Sequence, residues 1–149
     1  MNPAPSSKNI ESIEEFTLYA LDRSIEGLQQ LVDDCKKCAG ALHARSPEAF
    51  GLLSPLAVNL RDFDVFENDM VSLFEIDRSL MSDAQGSLLE VEANFRATLD
   101  RLADHLGQND MTQLSQLLET ELPGVLTRFQ VLLPMLRDYV DVQYIRTAP

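Results

Sequence analysis

From Leu18 to Leu42 the apolar residues recur in alternating steps of three and four without a miss: Leu18, Leu21, Ile25, Leu28, Val32, Cys35, Ala39 and Leu42. That spacing places one unbroken apolar stripe along a helix of about 45 Å. A stripe so long and narrow is the seam of a bundle, and it obliges the rest of the chain to supply helices that cover it.

The following segments supply them. Ser12 and Glu15 have the spacing of a capping box and start the first helix. Ser46 followed by Pro47 reads as the cap and first position of a second helical region. Ser54-Pro55 divides that region, so the spacing predicts a lead-in turn and a main helix from about 55 to 78. Its apolar face is Leu56, Leu60, Phe63, Phe66, Met70, Leu73 and Leu80, with Asp62, Asp64, Glu67 and Asp69 turned outward. Ser82 and Gln85 pair as the next capping box, opening a helix with the seam Leu88, Val91, Phe95, Leu99, Leu102 and Leu106, stopped by Gly107. The short stretch before Asp110, a cap with Gln113 three residues on, makes the third and fourth helices an antiparallel hairpin. The last segment carries Met111, Leu114, Leu118, Leu122, Val125, Phe129, Leu132, Leu136 and Tyr139, interrupted by Pro123 and Pro134. A bend or break is expected there, at Leu122-Pro123-Gly124 above all. With no strand-like alternation and no hairpin signal, the expected fold is all-α: an up-down-up-down four-helix bundle with a proline-kinked last helix, formed by residues 10–147 as a single domain behind a tail at 1–9.

Composition narrows the partners. The 149 residues include 24 acidic and 12 basic side chains, a net charge of −12, which repels nucleic acid and anionic membranes alike. No segment reaches the length of a membrane span, and the N-terminus has no apolar stretch of the kind a signal peptide needs, so a cytoplasmic location is expected.

Chemistry is sparse. Both cysteines, Cys35 and Cys38, fall late on the long first helix, with Asp33 and Asp34 beside them, where neither a redox thiolate nor a haem linkage is favoured. With His43 they form the one corner that could offer ligands to a metal, although Cys35 occupies a seam position where a small packing residue belongs. Neither His43 nor His105 follows an acid by three residues, and the seams as read contain no carboxylate, which excludes a di-iron bundle site. The acidic run from Arg61 to Met70 lacks the glycine and oxygen spacing of a calcium loop and reads as a solvated face. No nucleophile elbow or phosphate loop occurs, and Tyr139 and Tyr144 read as an amphipathic edge. No catalytic residue and no cofactor is assigned.

One pattern goes beyond a plain bundle. Thr17, Ala20, Ser24 and Gly27 form a strip of small side chains beside the first seam, where another helix could approach closely. The function expected is therefore non-catalytic protein binding, in the manner of an adaptor or chaperone, with a protein partner or a second copy of the chain on that strip. The alternatives are a metal- or small-ligand-binding bundle, at the Cys35, Cys38 and His43 corner or near Pro123, and a self-assembling structural dimer.

Overall fold

The computed structural model describes residues 12–146, and the side chains of 12–143. The expected tail at 1–9 and the side chain of Tyr144 lie outside that range. The chain is an all-α four-helix bundle: α1 (Ile13–His43), α2 (Ala49–Leu73), α3 (Leu88–Gly107), and a fourth arm built from α4 (Met111–Gln116), a π-helical segment (Leu117–Glu121) and α5 (Leu122–Val140), extended by a second π segment (Asp141–Arg146). The α1 helix runs antiparallel to this arm, as the pairs Asp22–Arg137, Gln29–Gln130 and His43–Glu119 mark along its length. It also packs on α2, while α3 packs on the fourth arm. The backbones of α2 and α3 stay farther apart than those of the other neighbours and meet through side chains.

The α1 helix begins where its cap places it: the Glu15 amide donates to Ser12 Oγ at 3.1 Å. Of its seam, Leu21, Leu28, Val32, Cys35, Ala39 and Leu42 are buried, with Leu18 and Ile25 partly so. Three helices then end in the same way. After α1, α2 and α3 the residues Arg45, Glu75 and Asn109 take φ of 53°, 52° and 54°. Each amide following them reaches back to a helix carbonyl: Ser46 to Ala41, Ile76 to Val71 and Asp110 to His105. This is the Schellman closure, for which glycine is the usual residue. Here Asn109, and not Gly107, makes the stop of α3.

The second helical region differs from expectation. The α2 helix starts at Ala49 and continues through Pro55 to Leu73, with Leu73 and Leu80 exposed. Ser46 still organises the entry, its Oγ accepting from the Glu48 amide and its carbonyl from that of Ala49. Pro55 removes the donor for the Gly51 carbonyl, but both residues border a solvent-open depression, so water can take the vacant place. From Phe74 the chain leaves the helix, forms a 3-10 turn at Arg78–Leu80, and makes a minimal antiparallel ladder between β1 (Ser82–Asp83) and β2 (Gly86–Ser87). The expected Ser82 cap is thus a strand residue. Ser87 caps α3 instead, in a capping box with Glu90 whose Oε1 accepts from the Ser87 amide at 2.9 Å. Gly86 has φ of 138°, and a Cβ there would sit 3.2 Å from that same Glu90 oxygen.

In the fourth arm the chain remains helical through both prolines. Directly before Pro123 the Leu122 amide bonds to the Leu117 carbonyl, five residues back, and the wider turn makes room for the proline ring. The extra residue also shifts the apolar stripe, which is why Leu117 and Leu118 are both buried.

Candidate functional site

The small-residue strip lies on the flank of α1. Thr17 is buried and its hydroxyl donates to the Ile13 carbonyl at 2.7 Å. Ala20, Ser24 and Gly27 are half-buried, and a Cβ on Gly27 would meet nothing within 4 Å. The Gly27 end of the strip is therefore uncovered, with open space beside its Cα. On the first turns of α1, Ile13, Phe16 and Tyr19 are 63%, 56% and 47% exposed, three large apolar side chains at three-residue spacing. The antiparallel pairing brings the C-terminal part of α5 to this end of the bundle, where Met135, Tyr139 and Val142 are also exposed. The spacing of 13, 16 and 19 in α1 is readable as a second stripe, but the stronger seam at Leu18 and Leu21 masks it.

The cysteine corner does not assemble. Cys35 and Cys38 are fully buried thiols, and the Cys38 Sγ approaches the Ala49 carbonyl at 3.8 Å. Burial pushes the Cys35 thiol up to about 12, with Cys38 and Asp34 adding to it, and burial raises Cys38 as well. His43 instead faces solvent and its Nε2 lies 3.2 Å from Glu119 Oε2. Among the described residues no three His, Cys, Asp or Glu side chains are placed to hold a metal ion.

A different constellation, absent from the expected seams, joins α2 to α3. Glu67 and Glu92 are each 1% exposed. The sequence reading turns Glu67 outward, yet Leu60, Phe63, Glu67, Met70 and Phe74 follow one three-four spacing, as do Leu88, Glu92, Phe95, Leu99 and Leu102, so both acids occupy core positions. Counting only apolar residues hides them. None of the four carboxyl oxygens receives a well-directed hydrogen bond from a protein donor, although Arg78 Nε lies 2.7 Å from Glu92 Oε1. Burial comes first, and the neighbouring Glu92 carboxyl adds to it both as a potential hydrogen-bond partner and as a like charge, so that Glu67 is driven well above the ordinary carboxylate range, against the pull of Arg78 and Arg96. Around the pair, Arg78 and Arg96 both donate to Asn68 Oδ1, at 2.9 and 3.1 Å, and Arg96 faces Asp64.

Two clefts meet at Phe50, which is 54% exposed. One, of about 480 Å³, runs along α2 past Leu53, Ala57 and Arg61 to Leu106 of α3. The other, of about 530 Å³, lies between the α1–α2 connection and α4, bordered by His43, Arg45 and Met111. Their size suits a small apolar ligand; of the polar residues bordering the second, His43 pairs with Glu119 and the Ser115 hydroxyl donates to the Ala39 carbonyl. No family model, no curated protein and no solved structure matches this chain.

Proposed function

We propose that this chain is a non-catalytic helical-bundle protein that binds another protein through the end of the bundle where α1 begins and α5 finishes. The observation that carries the reading is the exposure of Ile13, Phe16 and Tyr19 on the first turns of α1, with the exposed apolar residues of α5 at the same end and the uncovered Gly27 farther along α1. Large apolar side chains held in water on regular helices lower the free energy when a partner covers them, and a strip of small residues admits a helix backbone at close range. Net charge of −12 favours a partner whose own surface is basic, and is consistent with neither nucleic acid nor membrane as the target. A cytoplasmic location accords with a chain whose two cysteines are too few for a disulfide framework, and no helix among the described residues is long and apolar enough to cross a membrane.

The test compares proteins crosslinked to the wild-type chain in cells with those crosslinked to a Phe16→Asp, Tyr19→Asp double variant that keeps its helical circular dichroism. A partner captured by the first and lost by the second supports the reading. Identical partners for both place the contact elsewhere and overturn it. Sedimentation of the purified chain decides the homodimer: a concentration-dependent rise in mass, abolished by the same variant, makes a second copy the occupant. A small-ligand function has the Phe50 clefts in its favour, and Phe50→Ala with an apolar fluorescent probe reads it separately.

A further inference from the structure

Two ionised carboxylates, neither touching water, cannot face one another without a donor between them. Each accepts hydrogen bonds only, and two like charges in a weakly polarisable interior repel strongly. Glu67 and Glu92 are in this position, at 1% exposure each, on two helices whose backbones approach one another less than those of the other neighbours do. A proton held by one carboxyl supplies the missing donor and removes the repulsion. Among the described residues the charged groups around the pair are few: Arg78 from the 3-10 turn, Arg96 from α3 and Asp64 from α2. Arg78 lies against Glu92, and Arg96 is shared with Asp64 and Asn68, so the surroundings favour one negative charge on the pair and leave a second uncompensated.

We propose that Glu67 and Glu92 share a single proton that fastens α2 to α3, and that losing it separates the two helices and widens the cleft farther along the same seam. That cleft already exists as a depression of about 50 Å³ bordered by Ala57, Arg61, Leu99 and Leu102. The raised affinity of Glu67 for its proton accords with this reading and sets its sign. Its contribution to stability is complete below the ordinary carboxyl range and declines as pH rises toward and beyond neutrality. Glu67→Gln replaces the protonated carboxyl by an amide that can donate to Glu92 at every pH.

The experiment has two readouts on the full chain. Carbon-13 carboxyl shifts of glutamate-labelled wild type are expected to show one step above about pH 7, lost in Glu67→Gln. Spin labels on cysteines introduced at exposed Val65 of α2 and Leu89 of α3 are expected to move to longer separation between about pH 5 and pH 11 in the wild-type background, a range that passes through the raised Glu67 value of about 10, and to stay fixed with Glu67→Gln. Glutamates that all titrate below about pH 6 overturn the shared proton. A separation that ignores pH, or moves equally in both backgrounds, overturns the fastening. The wild-type titration needs no variant, so a Glu67→Gln chain that fails to fold leaves the shared proton testable.

Discussion

The ring of Phe63 on α2 stands edge-on to that of Phe129 on α5, with centroids 5.1 Å apart and planes at 79°. Phe95 of α3 completes the cluster, at 5.9 Å from Phe63 and 5.4 Å from Phe129, again edge to face. Three helices thus converge on one aromatic contact, in the arrangement that sets the positive edge of one ring against the negative face of the next. Phe129→Ala empties the centre of this cluster and is expected to cost about 3–5 kcal/mol. Phe16→Ala, on an exposed ring, should cost no more than about 0.5 kcal/mol. Urea denaturation of the two variants checks this, and equal midpoints would contradict the assignment of the core.

Glu75 supplies a prediction in the stabilising direction. It closes α2 at φ of 52°, a conformation in which its Cβ crowds the backbone, while its neighbour Ile76 buries itself and bonds to the Val71 carbonyl. Glycine at that position relieves the crowding but loosens the unfolded chain, for an expected net gain of about 0.5–1 kcal/mol in Glu75→Gly. The same change at the helical Ala97 should lower stability by about 1 kcal/mol. Thermal melts of both variants give the signs directly.

Phe129 and Glu75 stand at opposite ends of what the sequence makes readable. Apolar spacing locates all four helical arms, because burying a stripe contributes most to folding and its period survives in the residues themselves. Caps at Ser12 and Asp110 are readable because a side chain performs them locally. The helix ends at Arg45 and Glu75 are not, since a residue with no special preference adopts the left-handed conformation when Ser46 and Ile76 are held by their own contacts. The ladder at Ser82–Ser87 carries only the weak local signal of the Asp83–Gln85 contact and Gly86, because much of what fixes it comes from outside, by Arg128 gripping Asp83 and reaching the Gly86 carbonyl. The strip from Thr17 to Gly27 is visible as spacing, but whether another helix fills it depends on the packing angle of neighbours. Glu67 and Glu92 stay hidden for a different reason: a carboxyl is expected outside, and only the facing partner from another helix makes a buried one tolerable.

The thiols yield a third prediction. Reaction requires thiolate and access, and Cys35 and Cys38 lack both: they are fully buried, and burial holds the Cys35 thiol at about 12. Native protein at about pH 8 should therefore react with a thiol reagent only at the rate at which the bundle opens, and both thiols should react at once in denaturant. Cys35→Ser buries a hydroxyl in an apolar seam and should destabilise by about 1–3 kcal/mol. Fast labelling of a native thiol would show that this part of α1 opens locally.

Acid should loosen the attachment of the β1–β2 hairpin to α5. Arg128 grips Asp83 with two hydrogen bonds, of 2.8 and 2.6 Å, and the Gln85 amide donates to the same carboxylate at 2.9 Å. These contacts, the Arg128 bonds foremost, hold the Asp83 carboxyl at about 2, below its ordinary 3.8. Because the folded value is depressed, the contribution is present at neutral pH and disappears as pH falls through that interval, the reverse of the behaviour expected of Glu67. The two groups together predict a melting temperature that peaks in mildly acidic solution and declines on both sides. Asp83→Asn should flatten the acid limb and leave the alkaline limb intact, while Glu67→Gln should do the opposite. Melting curves of the three proteins across pH check both limbs. An acid limb unchanged in Asp83→Asn would mean that the hairpin's attachment to α5 does not contribute to the stability of the bundle.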